Sequence, residues 1–241
     1  MFSYLDKGFG TPIVFIHGLC QMKYSWNPQH ELSNKYRLIV PDLIGHGDSE
    51  INDEITIYNF ASNIIKLLER LDIQSTYICG LSLGGIVAQE IYRQRPDLVK
   101  GLILANTCSY IPMFAYGIVN GSKQYIDNGT LIDCIANRGL HNKAYINEAK
   151  KSFYITDRYI EAAKSAMGLN YFYELSRIKC PVLLIGGYFD KVTPFINVHM
   201  MKMFIRNAKS VILSSGHLSN IEKREEFNEA IDRFVAGSVV K

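Results

Sequence analysis

The chain has 241 residues, 48% of them hydrophobic and 20% charged, with a formal net charge of +3. This is an ordinary globular balance with ample material for a core. The small charge, without a long Lys/Arg run, gives no reason to expect a nucleic-acid or anionic-membrane partner, and no apolar run reaches the roughly 18 residues needed to span a bilayer.

The N-terminal residues lack the basic region and apolar core of a signal peptide. Five cysteines, Cys20, Cys79, Cys108, Cys134 and Cys180, are odd in number and widely spaced, with no C-x-x-C pair. They are expected to be reduced packing residues of a cytoplasmic protein, and the His and Cys spacing suggests no metal. Pro12 to Ile16 is a continuous β-branched and aromatic run, the mark of a strand buried on both faces. It leads into His17-Gly18-Leu19-Cys20. A second such run, Arg37 to Val40, leads into a turn-rich loop from Pro41-Asp42 to Gly45-His46-Gly47-Asp48-Ser49. Between Thr56 and Leu71 the apolar residues Ile57, Phe60, Ala61, Ile64, Leu67 and Leu68 recur at helical spacing, with capping residues ahead of them.

The stretch from Ser75 to Cys79 reads as a strand and Ile86 to Arg93 as a helix. Gly80-Leu81-Ser82-Leu83-Gly84 joins them and matches G-x-S-x-G in the strand-turn-helix setting that pattern requires. Arg95-Pro96 stops the helix, and Val99 to Ala105 is a further buried-strand candidate. Strand and helix alternate to this point, which implies a parallel sheet wrapped by helices. The alternation lapses from about Cys108 to Tyr173, a polar and aromatic segment without a convincing strand that includes Tyr110, Phe114, Tyr116, Phe153, Tyr159 and Phe172. It resumes with a strand at Pro181 to Ile185, a loop carrying Asp190, a helix over Thr193 to Phe204 and a strand at Ser210 to Leu213. A loop with His217 follows, then a final amphipathic helix on Phe227, Ala230, Ile231 and Phe234. The expected organisation is one α/β core formed by residues 1–107 and 173–241, interrupted by a helical cap at 108–172.

His17, Asp42, Ser82, Asp190 and His217 all follow predicted strands. In an open parallel sheet the loops beyond the carboxyl ends of the strands gather along one edge, where ligands bind. A serine hydroxyl is a poor nucleophile at neutral pH and needs an adjacent base, which in turn needs a partner to orient it. Ser82, Asp190 and His217 lie in the chain order of an α/β-hydrolase triad. Asp42 and Asp48 compete with Asp190 for the acid role, and His17 and His46 have the alternative of bracing their loops. Cys20 reads as a small packing residue.

On these residues the chain resembles the α/β-hydrolase fold superfamily, in particular its small capped esterases and 3-oxoadipate enol-lactonase-like serine hydrolases. The resemblance rests on His17-Gly18, on Pro41-Asp42 through Ser49, on Gly80 to Gly85, on Gly187-x-x-Asp190-x-x-Thr193-Pro194 and on Gly216-His217-x-Ser219-Asn220-x-Glu222. It implies a mostly parallel sheet of about seven or eight strands flanked by helices, with a helical cap. It also implies hydrolysis of a small carboxylic ester or lactone without cofactor. Ser82 would be the nucleophile, His217 the general base and then acid, and Asp190 its orienting partner. The backbone amides of Leu83 and Leu19 would form the oxyanion hole. Dehalogenases and epoxide hydrolases of this fold use Asp where this chain has Ser82, which speaks against both. The same triad also serves carbon–carbon lyases of the menaquinone-pathway synthase kind, and some proteins of this fold act as small-molecule receptors or signalling partners with little turnover. Two features fall outside the pattern. With only eleven residues before Pro12 the first strands are expected to be short or missing, and Arg138 is either a solvated surface residue or the partner of a substrate carboxylate. Oligomeric state is not legible.

Overall fold

The structure, a computed structural model, describes residues 2–114, 117, 120–121, 125–126, 130–156 and 158–237. Seven strands form one sheet: β1 (Tyr4–Lys7), β2 (Pro12–Ile16), β3 (Arg37–Pro41), β4 (Thr76–Leu81), β5 (Val99–Ala105), β6 (Val182–Gly187) and β7 (Ala208–Leu213), in the spatial order β1-β3-β2-β4-β5-β6-β7. Six of them run parallel; β1 alone is antiparallel, paired with β3 from Tyr4↔Pro41 to Lys7↔Leu38. The first strand is therefore short rather than missing. The residues before Pro12 suffice for four paired positions and the turn that reverses the chain.

Side chains alternate across the pleat. Val14, Ile39, Ile78, Leu102 and Leu184 enter one core with α1 (Ile57–Arg70) and α2 (Leu83–Gln94). Phe15, Leu38, Tyr77, Ile103 and Ile185 enter the other with Trp26, Phe227 and Phe234. Burial of the strands on both faces explains why they read as continuous apolar runs rather than alternating ones. α1 starts where expected, its N-cap Thr56 accepting a hydrogen bond from the Asn59 amide. A run of 3-10 turns over Lys23–Asn34, with Pro28 inside it, carries the buried Trp26 and has no periodic signature in the sequence. Pro28 and the mixed polar residues around it suit tight turns better than a regular helix.

Between β5 and β6 the described elements are α3 (Leu131–Gly139), a 3-10 turn at Lys143–Tyr145, α4 (Ile146–Lys151), α5 (Tyr159–Ser165) and α6 (Phe172–Leu175). Tyr116 lies outside the described residues. Beyond β6 come α7 (Ile196–Phe204), a short α8 (Ser219–Glu222) and α9 (Arg224–Gly237). Among the described residues no helix is long and apolar enough to cross a membrane.

Candidate active site

The turn between β4 and α2 is tight because backbone crowds it from both sides. A Cβ on Gly80 would lie 2.2 Å from the Gly84 carbonyl oxygen, and one on Gly84 would lie 2.1 Å from that of Ile16 on β2. Between these glycines Ser82 takes φ 54° and ψ −117°, in the left-handed region that non-glycine residues rarely occupy. Such strain persists only where the surroundings impose it. Here the Ser82 amide donates to the Ala105 carbonyl at 2.9 Å, and the Thr107 hydroxyl donates to the Ser82 carbonyl at 2.7 Å. The arrangement predicts that Gly84→Ala forces β2 away from the turn. We expect a loss of about 3 kcal/mol or more in urea unfolding, at the upper end of overpacking costs.

Asp190 and His217 meet beyond β6 and β7. The His217 Nδ1–H donates to Asp190 Oδ2 at 2.8 Å. The same oxygen accepts from Asn106 Nδ2 at 3.0 Å and Thr193 Oγ1 at 2.9 Å, and Oδ1 accepts from the Val192 and Thr193 amides at 2.7 and 2.9 Å. Burial works to raise the Asp190 carboxyl, but the adjacent His217 ring and these donors hold it below the usual Asp range. Ionised Asp190 thus fixes the tautomer of His217, leaving Nε2 as the nitrogen able to take a proton.

The His217 loop is held from the other side as well. Its amide donates to the Gly139 carbonyl at the end of α3 at 2.6 Å. Buried Glu222 accepts from the amides of Gly216 at 2.8 Å, His141 at 3.1 Å and Asn142 at 2.7 Å. One carboxylate therefore ties the His217 loop to the chain that follows α3. Glu222→Gln would turn an amide NH₂ toward at least one of these donors. The expected result is a loss of about 1–3 kcal/mol in thermal or urea unfolding, together with a reduced kcat.

Ser82, His217, Leu19, Cys20, Gln21 and Arg138 line one cavity of about 230 Å³. Ser82 and Leu19 also line a second, of about 540 Å³, whose walls include Ile86, Ile111, Ala163, Met167 and Phe172. Leu83 heads α2, so its amide is among those a helix leaves without an internal acceptor. Leu19 follows Gly18, whose amide donates to Gln21 Oε1 at 2.8 Å. The loop is tied to the segment between β5 and β6, since the Tyr154 amide donates to the Cys20 carbonyl at 2.7 Å. Asp190, Ser82 and His217 are thus gathered at the carboxyl ends of β6, β4 and β7, with Leu19 and Leu83 beside them.

The other candidates are occupied elsewhere. His17 accepts from the Leu43 amide at Nε2 and contacts the Gly18 carbonyl through Nδ1. Burial, with His46 beside it, pushes its pKa down to about 3. Asp42 is spent on Lys23, accepting from its amide at 2.6 Å and its Nζ at 2.7 Å, and Lys23 also reaches Asp48. Cys20 is buried, which pushes its thiol well above the ordinary range and disfavours the thiolate. Among the described residues no group of three or more His, Cys, Asp or Glu is placed to hold a metal ion.

The sequence reading missed Asn106, Gln21 and the bracing role of Glu222. Asn106 had one available signal, a polar Asn-Thr pair directly after the apolar run of β5 and hence on the loop-bearing edge of the sheet.

A sequence profile described as alpha/beta hydrolase fold matches residues 11–125. The crystal structure of the enol-lactonase from Burkholderia xenovorans superposes with a TM-score of 0.89 over 98% of this chain and 96% of that one, at 24% identity. This chain is an α/β-hydrolase fold protein. Among curated sequences the hydrolase is 27% identical to 3-oxoadipate enol-lactonase 1 of Acinetobacter baylyi, over 92% of this chain and 88% of that one. It is 25% identical to an uncharacterised carboxylesterase of Bacillus subtilis, over 92% of this chain and 78% of the relative. Its fold is that of the α/β hydrolases, and it is similar at low identity to an enol-lactonase and a carboxylesterase.

Proposed function

We propose that this hydrolase cleaves a small carboxylic ester or lactone through an acyl-enzyme on Ser82. The observation that carries the reading is that His217, oriented by Asp190 at 2.8 Å, lines the same cavity as Ser82 on its strained turn. Ser82 Oγ attacks the carbonyl carbon while its proton passes to His217 Nε2. The Leu83 and Leu19 amides stabilise the oxyanion, an effect worth several kcal/mol when the donors are fixed in advance. As the tetrahedral intermediate collapses, His217 returns the proton to the leaving oxygen. Water activated by the same imidazole then adds to the acyl carbon, Ser82 Oγ departs with the proton, and the acid is released. Asp190 stays ionised throughout and stabilises the imidazolium. No step calls for a cofactor.

The segment between β5 and β6 acts as a cap. Its residues Ile111, Ala163, Met167 and Phe172 give the larger cavity an apolar wall suited to an acyl chain. The names of the two curated relatives, an enol-lactonase and a carboxylesterase, support this choice of substrate class.

Treatment with a fluorophosphonate followed by peptide mapping tests the reading. We expect one adduct, on Ser82, and with an activated ester a burst of alcohol release as the acyl-enzyme accumulates. A label on Cys20, or none, sinks the mechanism. Turnover without any acyl-enzyme points instead to proton abstraction by His217, as in a lyase.

A further inference from the structure

Gly18 stands where a side chain has no room. A Cβ there would lie 2.8 Å from Gln21 Oε1 and 3.4 Å from Ser82 Cβ. A glycine so close to Ser82 brings a difficulty with it, because its backbone turns freely unless something else holds it. The peptide that joins Gly18 to Leu19 matters most, since its N–H is the second oxyanion donor proposed above. A trans peptide is planar, so the direction of its carbonyl fixes the opposite direction of its N–H. The Gly18 carbonyl accepts from the Gln21 amide at 3.2 Å and from His17 Nδ1 at 2.8 Å. The His17 proton lies on Nδ1 because Nε2 accepts from the Leu43 amide. The Leu19 N–H therefore points away from both donors, and among the described residues it has no acceptor.

The other side of Gly18 is held by a single side chain. Its amide donates to Gln21 Oε1 at 2.8 Å, so Gln21 grips Gly18 at both ends, through its own amide and through its carboxamide. The carboxamide cannot be turned over, because its NH₂ would then face the Gly18 N–H. Gln21 Nε2 is left buried and, among the described residues, without a hydrogen-bond partner. An orphaned buried donor is destabilising, and a residue serving only to fill space would not carry one. Nε2 is also enclosed by protein and so is not offered to a substrate. What the site uses is the oxygen.

Gln21 is itself anchored from outside its loop. It pairs antiparallel with Phe153, the Met22 amide donates to the Ser152 carbonyl at 3.3 Å, and the Tyr154 amide donates to the Cys20 carbonyl at 2.7 Å. Cys20, between Leu19 and Gln21, takes φ 62°, a left-handed conformation that persists only where the surroundings impose it. The segment between β5 and β6 thus holds the turn, and the turn holds Gln21 against Gly18.

We infer that Gln21 is a positioning residue for the oxyanion hole: its carboxamide oxygen locks Gly18, so that the Leu19 N–H is fixed in direction before substrate arrives. The inference rests on the reading of Ser82 and of the Leu19 amide given above. Gln21 makes no bond to the reacting atoms. It acts through Leu19, and its contribution appears only as negative charge forms on the carbonyl oxygen.

Gln21→Met and Gln21→Leu test it. Both stay near the volume of glutamine, and both remove the acceptor and the orphaned Nε2 together, so stability in urea should change little. Rates on 4-nitrophenyl butyrate are taken per active site, counted by fluorophosphonate labelling carried to completion. We expect kcat to fall about 10–100-fold, less than the loss of a whole oxyanion donor. KM should stay within about twofold, because the same hole serves acylation and deacylation. A pair of ketones gives the second readout. With 1,1,1-trifluoro-2-hexanone, Ser82 Oγ adds to the carbonyl carbon, its proton passes to His217, and the carbonyl electrons move onto the oxygen as an oxyanion. Its affinity should weaken by the same factor as kcat, whereas 2-hexanone, which stays a ketone, should bind as before.

A kcat within about threefold of the wild type in both variants overturns the inference. So do two ketones that weaken by the same factor, or a KM that rises while kcat holds, since a residue that merely shapes the cavity gives those results. If one variant does not fold, the other carries the test; if neither folds, Gln21 is a structural residue and the inference fails. Ser82→Ala separates the two levels of failure. Retained turnover of 4-nitrophenyl butyrate defeats the catalytic reading itself, whereas an inactive Ser82→Ala beside an unaffected Gln21→Met defeats only the positioning role.

Discussion

Ser82→Ala is expected to lower kcat by about 10⁵-fold on any ester the enzyme accepts and to abolish fluorophosphonate labelling, while the protein stays folded. The size of the effect follows from the serine acting as one member of a unit: without its oxygen, neither the base nor the oriented acid has anything to activate. The residual rate should not fall to that of water, because the Leu83 and Leu19 amides and the cavity still bind and polarise the carbonyl. The variant should also be no less stable than the wild type. Ser82 holds its positive φ whatever its side chain, and what pins the turn is its own amide on Ala105 and its carbonyl under Thr107. His217→Ala should act on the same unit and slow labelling strongly without moving the adduct. A double variant should therefore lose scarcely more than either single change, which steady-state kinetics on the three proteins would measure. Losses that multiply would mean that serine and histidine work independently, and the mechanism would fail.

What made Leu19, Ser82 and Asp190 readable from the chain alone is that each follows a strand buried on both faces, whereas β7, ahead of His217, is mostly half-buried or exposed. Val14, Ile78 and Leu184 are fully buried, so the runs containing them are continuously apolar, and the loops after them are easily located. Gly80 and Gly84 were readable for a different reason. Backbone within 2.2 Å of where their Cβ atoms would stand admits no other residue without displacement, so the pattern around Ser82 is dictated by sterics. Features that depend on contacts remote in sequence left no comparable trace. The Glu222 carboxylate reaches His141 and Asn142 some eighty residues away, and Asn106 reaches Asp190 across 84. Neither has a local period or a turn signature. The 3-10 run at Lys23–Asn34 was invisible because its stability comes from burying Trp26 against Phe15 and Phe227, at centroid distances of 5.0 and 6.1 Å, and owes little to propensity. The chain between β5 and β6 was hardest to read. Its described helices are short, four to nine residues, and are held by the sheet domain and by one another. The same segment supplies walls to both cavities beside Ser82, Arg138 to one and Phe172 to the other.

Asp190→Asn should be nearly as damaging as loss of the nucleophile, with kcat falling by about 10⁴-fold, for a reason visible in the hydrogen bonds. Oδ1 accepts from the Val192 and Thr193 amides, and a carboxamide must keep its oxygen there. Its NH₂ then takes the place of Oδ2 and faces His217 Nδ1 and Asn106 Nδ2, both of which donate to Asp190. His217 can relieve the clash by moving its proton to Nε2, but that is the nitrogen required to accept from Ser82, so the base is lost while the geometry survives. The Asn106 amide loses an acceptor in a buried position, which should also cost about 1–3 kcal/mol of stability. The pH dependence of that cost carries a definite sign. The Asp190 carboxyl lies below its ordinary value when folded, so its contribution is fully present above the unfolded Asp range near pH 4 and is lost as the pH falls through the folded value. The stability gap between wild type and Asp190→Asn, measured by urea unfolding, should thus be constant around neutrality and narrow in acid. A gap that widened in acid, or a variant with near-normal turnover, would mean that another carboxylate orients His217. The contacts of Asp42 with Lys23 make that residue a poor substitute.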